Sequence, residues 1–295
     1  MKACFVTQID LKLADKLRGD LVSQGFELSK PPYTLFAAKK NGVSCTLYTS
    51  GKLTVQGKGK EEFIQFYLEP EILGDLSYSY PEAGADLTPH IGGDEAGKGD
   101  FFGPLCIAAV YSNDIPALIK LGAQDSKKMG DKNIHTLAKK IRAACPHAIV
   151  RISPQKYNEL YEKFHNLNHL LAWAHATAIA ELVAKTGCDQ VLIDQFANES
   201  LVKNALKQKQ VAVKLTQRPR AEEDPVVAAA SILARDAFVE GIDALGKALD
   251  FTLPKGASHL VIQAGRALVS KHGEEILKTV AKLHFKTKDL ILRSL

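Results

Sequence analysis

Two adjacent acids, Asp94 and Glu95, stand at the end of a short apolar segment and run directly into a glycine-rich turn. Glycines occupy positions 92, 93, 97 and 99. A run of glycines costs conformational entropy, so it indicates that the backbone here approaches another group closely. A solvent-exposed turn with incidental acids is the plainer interpretation of the same residues.

A further acid, Asp194, ends the apolar run Val191–Ile193 in the same manner. Equivalent ends of parallel strands lie side by side, so two such strands would place Asp94 and Asp194 at one sheet edge, where open α/β sheets bind ligands. The alternative is that Asp194 caps the next helix.

A third acidic position lies between residues 220 and 224. Asp224 precedes Pro225, and this pair is typical of a helix N-cap and first turn. That assignment leaves Glu222 or Glu223 to point elsewhere, and the residues alone do not choose between them.

Carboxylates that converge on one site repel one another unless cations lie between them. Clusters of oxygen ligands suit Mg²⁺ or Mn²⁺. Two such ions can activate water and stabilise the leaving oxygen at a phosphodiester, so these acids favour phosphate chemistry.

A nucleotide-binding loop is the competing interpretation of the same segment. Gly92, Gly97 and Lys98 match the first seven positions of G-x-x-x-x-G-K-[ST], but Gly99 stands where the Mg²⁺-binding hydroxyl belongs. The two acids would also place negative charge in a cradle meant for phosphates, which disfavours a P-loop ATPase.

The elements that carry these residues fall into two blocks. In residues 1–75 we predict a helix from Asp10 to Gly25, strands at 33–39, 43–49 and 52–56, and a short helix at 60–69 that Pro70 ends. This is a small α+β domain with an antiparallel sheet. The polar, Pro/Gly-containing residues 76–89 are predicted to be a linker.

Residues 90–295 predict an α/β domain in which a mixed five-stranded sheet is flanked by helices. The predicted strands begin at Ile91 and lie at 104–111, 147–152, 191–194 and 211–216. The predicted helices include 132–144, 168–185, 225–238, 258–271 and 274–283.

Composition restricts the class of protein. The chain has 295 residues, of which 46% are hydrophobic and 24% charged, as in globular domains. No apolar stretch approaches the roughly 20 residues that span a bilayer, and no secretory signal is evident, so we expect no membrane partner and a cytoplasmic protein. Five cysteines without metal-ligand spacing indicate buried thiols.

The positive charge is clustered more than the net charge of +5 suggests. Residues 29–60 contain no acid but six lysines, and residues 200–221 repeat the pattern. Two acid-free basic segments favour a phosphate-bearing ligand over ordinary solvated faces. The lysines of the first segment that we predict to contact such a ligand are Lys39, Lys40 and Lys52.

Three motifs in order resemble those of the type 2 ribonucleases H. They are GDEAGKG at 93–99 followed by GPL at 103–105, DSK at 125–127, and AAASILAR at 228–235. Lys98, where the HII branch usually has arginine, and the extra N-terminal unit point to the ribonuclease HIII branch. The resemblance covers essentially the whole chain.

The resemblance implies an RNase H-like fold and an endonuclease that cuts the RNA strand of RNA/DNA hybrids with Mg²⁺ or Mn²⁺, leaving a 5′-phosphate and a 3′-hydroxyl. It implies an N-terminal domain similar to the TATA-binding protein that grips the hybrid. We also expect a monomer. The metal-binding acids would be Asp94, Glu95, Asp194 and Glu222. The substrate contacts would be Gly97, Lys98 and Gly99 at the ribose 2′-hydroxyls, and Ser126 and Lys127 at the backbone.

A nucleic-acid-binding protein without catalysis is the rival from another class. In that case the basic N-terminal domain would bind the nucleic acid, and the acids would only stabilise the structure. The presence of all four acids together with the Gly-Lys-Gly loop favours the enzyme.

Overall fold

The computed structural model describes residues 4–76, 78–79, 86–123 and 129–293. The chain divides into two compact units, residues 1–84 (unit 1) and 85–295 (unit 2). Each unit has its own hydrophobic core. Within the described residues, none of the helices combines the length and the apolar character needed to span a bilayer.

Unit 1 is a five-stranded antiparallel sheet covered on one face by helices. Its strands are β1 Cys4–Gln8, β2 Glu27–Ser29, β3 Thr34–Lys40, β4 Val43–Tyr48 and β5 Lys52–Gln56. The order across the sheet is β1-β5-β4-β3-β2. The two strands at the edges were not predicted, because short edge strands carry little hydrophobic periodicity.

The helical layer of unit 1 differs from the prediction at its second helix. A 3₁₀ turn at Leu11–Leu13 leads into α1 at Ala14–Ser23, and Leu17 and Leu21 of α1 are fully buried on the sheet. The second helix begins as α2 at Lys60–Phe63 and continues as a π-helix at Ile64–Leu73. The prediction that Pro70 ends it is wrong. Proline removes one backbone N–H donor, which costs one hydrogen bond, but the helix continues for three more residues to Leu73.

Unit 2 is a mixed five-stranded sheet with helices on both faces, as predicted. Its strands are β6 His90–Ala96, β7 Leu105–Ser112, β8 His147–Ile152, β9 Gln190–Asp194 and β10 Lys214–Arg218. The order is β10-β9-β6-β7-β8, with β9 parallel to both of its neighbours and β7 antiparallel to both of its own. Its helices are α3 Ile115–Leu121, α4 Asp131–Ala144, α5 Pro154–Phe164, α6 Leu167–Thr186, α7 Glu199–Gln208, α8 Pro225–Leu249, α9 His259–His272, α10 Ile276–Val280 and α11 Thr287–Leu292.

Several element boundaries in unit 2 correct the prediction. The last strand begins at Lys214 rather than residue 211, because its ladder with β9 begins where Lys214 pairs with Gln190. Helix α8 continues past residue 238 to Leu249, and α10 ends at Val280 because Ala281 forms an isolated β-bridge with Phe102. Helices α3, α5 and α11 were not predicted.

Helices α6 and α8 lie on opposite faces of the unit 2 sheet, and glycines in β6 let α8 come close. A Cβ atom on Gly92 would lie 2.5 Å from the backbone of Val226 and Val227 at the start of α8. A Cβ atom on Gly93 would lie 2.9 Å from the side chain of Ile193 on β9. These two glycines therefore allow β6 to approach α8 and β9, which are elements of the protein itself.

Candidate active site

Strand order brings the predicted acids together at one edge of the unit 2 sheet. Because β6 and β9 are parallel with Gly93 opposite Ile193, Asp94 and Asp194 occupy the next position of each strand. A cavity of about 440 Å³ opens at this edge. The four predicted acids line it, and so does a fifth acid of the β6–β7 loop: Asp94, Glu95, Asp194, Glu222 and Asp100.

Asp194 also fixes the turn that carries the fourth acid. Its Oδ1 accepts a hydrogen bond from the backbone N–H of Ala221 at 3.0 Å, and Ala221 begins the 3₁₀ turn Ala221–Glu223. Glu222 lines the cavity, whereas Glu223 is exposed and lies 4.0 Å from Arg220. The tertiary structure thus places Glu222, and not Glu223, with the other acids.

Asp224 takes the capping position expected from the sequence. Its Oδ1 accepts hydrogen bonds from the backbone N–H groups of Val226 and Val227 at 2.8 and 3.1 Å. The same oxygen lies 3.0 Å from Nε2 of the buried His90. Asp224 therefore holds the start of α8 next to His90, the first residue of β6. Asp224 itself follows Glu222 by two residues.

The two adjacent acids have opposite electrostatic environments. Burial and the negative charge of Glu95 together raise the pKa of Asp94 to about 6, against weaker opposing hydrogen bonds from Ser231 and the Glu95 backbone. Burial alone would also raise the pKa of Glu95, but His175 and Lys98 outweigh it and lower that pKa. Lys98 Nζ lies 3.3 Å from Glu95 Oε1, and His175 Nε2 lies 3.1 Å from Glu95 Oε2.

Comparisons with known proteins identify the family of the chain. The family model for Ribonuclease HII matches residues 91–288, and a domain of unknown function (DUF3378) matches residues 4–75. Ribonuclease HIII of Protochlamydia amoebophila (strain UWE25) is 56% identical over 290 residues, 98% of this chain and 96% of that protein. The chain belongs to the ribonuclease HIII family.

Further relatives support the membership. Ribonuclease HIII of Chlamydia felis (strain Fe/C-56) is 50% identical over 97% of both chains. The crystal structure of Bst-RNase HIII in complex with Mn²⁺ is 31% identical, covers 99% of this chain and 98% of that one, and superposes with a TM-score of 0.68. The protein is accordingly a ribonuclease H, a hydrolase, which confirms the family, the fold class and the enzyme class inferred from the sequence.

The Gly-Lys-Gly loop of this ribonuclease H lines the same cavity as the acids. Gly97 has φ +86°, and a Cβ there would lie 2.3 Å from the carbonyl oxygen of Pro104, so only glycine fits. Gly99 is exposed, and a Cβ there would meet nothing within 4 Å. The loop therefore has one glycine that makes the turn and one whose backbone is open to a ligand.

The other predicted substrate contacts belong to unit 1 or fall outside the described residues. Ser126 and Lys127 fall among residues 124–128, which the structure does not describe. In unit 1, Lys39 and Lys40 end β3, and Lys52 begins β5. Lys40 is already engaged, because its Nζ donates to the carbonyl oxygen of Gln24 at 2.7 Å.

Sequence reasoning missed several residues of the site. The sequence analysis assigns no role to His175, because no carboxylate stands near it in the sequence, yet folding brings it to Glu95, 80 residues away. Arg235 and Lys255 line the cavity, and both bond to Asp131. A feature of the sequence that could have identified His175 is that it is a single polar residue on the apolar face of a predicted helix.

A second group of potential metal ligands lies elsewhere in unit 2. Among the described residues, His135, Asp236 and Glu240 bring three ligand atoms within 4.8 Å of one another, closer than the acids of the cavity. Arg142 lies 2.6 Å from Asp236, and Arg151 lies 2.8 Å from Glu240. Because these arginines already neutralise both acids, the group is better described as an ionic network joining α4, α8 and β8.

Proposed function

We propose that the protein is an endoribonuclease that cleaves the RNA strand of RNA/DNA hybrids by two-metal-ion phosphodiester hydrolysis, leaving a 5′-phosphate and a 3′-hydroxyl. The observation that carries the proposal is the convergence of Asp94, Glu95, Asp194 and Glu222 on one cavity. Although Asp194 also holds the turn that carries Glu222, like charges gathered at one site destabilise the fold unless cations bind.

The donor set fits Mg²⁺ or Mn²⁺. All four side chains offer oxygen ligands, and the raised pKa of Asp94 records the cost of negative charge there, which a bound cation would remove. We infer that these four residues would hold the metal. When bound, divalent cations activate water and stabilise the charge of the leaving oxygen in an in-line displacement.

The residues around the acids are suited to select and orient the substrate. Lys98 and Gly99 present a cation and an open backbone at the cavity, where they would contact the ribose 2′-hydroxyl that distinguishes RNA from DNA. Arg235 and Lys255 add positive charge on the same cavity and are suited to backbone phosphates. Ser126 and Lys127 remain proposed backbone contacts on sequence grounds.

For the organisation of the chain, we propose a substrate-binding domain in residues 1–75, a linker at 76–89 and a catalytic domain in residues 90–295. Lys39, Lys40 and Lys52 of the first domain would contact phosphates of the hybrid. A monomeric state and a cytoplasmic location also remain predictions from the sequence.

A cleavage assay on an end-labelled RNA/DNA hybrid, with and without Mg²⁺ or Mn²⁺, tests the proposal. We expect metal-dependent cuts in the RNA strand, and Asp94→Asn should lose cleavage while it still binds the hybrid, because the phosphate contacts are untouched. Activity of Asp94→Asn within tenfold of the wild type, or hybrid binding without any cleavage by the wild type, would favour the non-catalytic alternative.

A further inference from the structure

The imidazole of His175 lies directly behind the Glu95 carboxylate. His175 is on α6, its side chain is 1% exposed, and its Nε2 lies 3.1 Å from Glu95 Oε2. The other buried residues of α6 are all alanine, leucine or isoleucine. A titratable ring therefore interrupts an otherwise apolar helix face at the point where that face meets the site.

This histidine is a costly choice for packing alone. Burying a polar group costs free energy unless it is hydrogen-bonded, and Nδ1 of His175 has no hydrogen-bond partner among the described residues. A leucine on this face would avoid that cost. What the histidine supplies is the bond from Nε2 to Glu95.

The surroundings hold the ring in one orientation. The ring stacks on Phe196 with centroids 5.0 Å apart and an interplanar angle of 15°. On the side of Nδ1, a Cβ on Gly93 would lie only 3.5 Å away, so β6 closely approaches the ring there. Phe196, which packs against the ring of His175, follows Asp194 by two residues. The ring is therefore supported from the end of β9, the strand that carries Asp194.

Resting on the proposed function, we propose that His175 is a positioning residue for the metal site, holding one oxygen of Glu95 so that the carboxylate keeps a fixed orientation at the cavity. Glu95 Oε2 accepts a hydrogen bond from the buried His175, and Oε1 accepts one from Lys98, whose side chain is partly exposed. Groups that orient a ligating carboxylate typically change metal affinity about 10–100-fold when they are removed.

Two substitutions of His175 separate positioning from packing. The amide nitrogen of glutamine reaches roughly where Nε2 lies, whereas that of asparagine reaches only to Nδ1. His175→Gln should therefore keep the bond to Glu95, and His175→Asn should lose it. His169→Asn is the matched control, because His169 is an exposed histidine on the same helix.

Calorimetric titration of each protein with Mn²⁺, without nucleic acid, measures the effect directly. We expect the dissociation constant to rise about 10–100-fold in His175→Asn and to stay within about threefold in His175→Gln and in the control. In cleavage assays, raised metal concentration should restore His175→Asn, with the KM for the hybrid unchanged. Equal Mn²⁺ affinity in all three variants, with only the melting temperature of His175→Asn lowered, would overturn the inference.

A measurement on the wild type keeps the inference testable if His175→Asn does not fold. In ¹⁵N-histidine spectra of the metal-free protein, His175 should be protonated at Nε2, and addition of Mg²⁺ should shift its ring signals more than those of His169. Signals of His175 that do not respond to bound Mg²⁺ would refute positioning. A wild type that binds neither Mn²⁺ nor Mg²⁺ would instead refute the proposed function.

Discussion

At the scale of single residues, the site depends on two neighbouring acids, Asp94 and Glu95, whose surroundings in the folded protein differ. Glu95 has a partner for each of its carboxylate oxygens, in Lys98 and His175. Asp94 has no cation bonded to it in the described structure, and burial together with the charge of Glu95 raises its pKa to about 6. Of these two neighbours, Asp94 is therefore the acid whose ionisation costs the metal-free protein more.

The raised pKa of Asp94 predicts how Asp94→Asn changes stability with pH. The folded state binds the Asp94 proton more tightly than the unfolded state, so the stabilisation is present below about pH 4 and is lost as pH rises through about 6. In EDTA, Asp94→Asn should therefore melt a few degrees above the wild type at pH 7 and nearer to it at pH 4.

The control for this experiment is Asp243→Asn, which changes an exposed acid. It should follow the wild type at each pH. Excess Mg²⁺ should stabilise the wild type more than Asp94→Asn, since only the wild type keeps the ligand. A difference between Asp94→Asn and the wild type that does not change with pH would contradict the assignment.

Glu222 and Glu223 form a matched pair for testing the fourth acid. Glu222 lines the cavity, and Glu223 is exposed beside Arg220. Glu222→Gln should lower kcat by roughly 100-fold or more, because a charge that stabilises the transition state is lost, whereas Glu223→Gln should stay within about threefold. Steady-state kinetics at saturating Mg²⁺ measure both, and the reverse order would show that Glu223 is the fourth acid.

At the scale of elements, the loop between β6 and β7 is fastened to the segment between α10 and α11. Lys282, which is fully buried, donates from Nζ to the carbonyl oxygens of Asp100 at 2.8 Å and Gly103 at 2.7 Å. The backbone N–H of Lys282 donates to the carbonyl oxygen of Phe101, and Phe102 forms an isolated β-bridge with Ala281. The Gly-Lys-Gly loop is therefore anchored by residues close to the C-terminus.

The buried ammonium group of Lys282 makes a contribution to stability that grows at alkaline pH. Burial lowers its pKa to about 8 from an unfolded value near 10.4, so between these values the unfolded state binds more protons and the free energy of unfolding rises with pH. Burial also raises the pKa of Cys45 and Cys106 to about 12, which lowers stability as pH rises above about 9 in every variant, so the effect of Lys282 is measured as a difference. In urea denaturation from pH 7 to pH 10, the free energy of unfolding of the wild type should rise relative to that of Lys282→Met.

Lys286→Met is the control, because Lys286 is an exposed lysine in the same segment. Its pH dependence should parallel that of the wild type, so the difference between the two variants isolates the buried group. If Lys282→Met showed the same pH dependence as Lys286→Met, the buried ammonium group would not be the cause.

At the scale of the whole molecule, two units with separate cores predict that binding and chemistry are separable. A chain starting at Asp86 keeps the whole unit 2 sheet and the bond from His90 Nδ1 to the carbonyl oxygen of Thr88. It should fold and retain cleavage. Its KM for the hybrid should rise with kcat less affected, as expected when uniform binding is lost.

Salt dependence tests the same separation. Each lost lysine–phosphate contact should flatten the slope of log K against log salt by about 0.9, and changing Lys39, Lys40 and Lys52 together to Ala should reproduce part of the loss in full-length protein. Lys12→Ala, an exposed lysine in the turn before α1, is the control. An unchanged KM and salt slope in the truncated protein would assign unit 1 another partner.

Local patterns were sufficient for much of the fold and part of the site. Asp94 and Glu95 beside a glycine run, Asp194 at the end of an apolar strand, and Asp224 before Pro225 are visible within a few residues of sequence, because strand periodicity and helix capping are short-range effects. The same patterns predicted most of the strands and long helices. They did not reveal the edge strands of unit 1, whose pairing depends on neighbours elsewhere in the chain.

Tertiary structure alone decided which groups meet. The place of Glu222 on the cavity depends on the bond between Asp194 and Ala221, which are 27 positions apart. The bond from His175 to Glu95 spans 80 positions, and the bond from Lys282 that anchors the β6–β7 loop spans 182. A residue's type shows that it can donate, accept or carry charge. Its burial and its partner, which set the pKa and the orientation of the side chain, arise only when strands and helices pack.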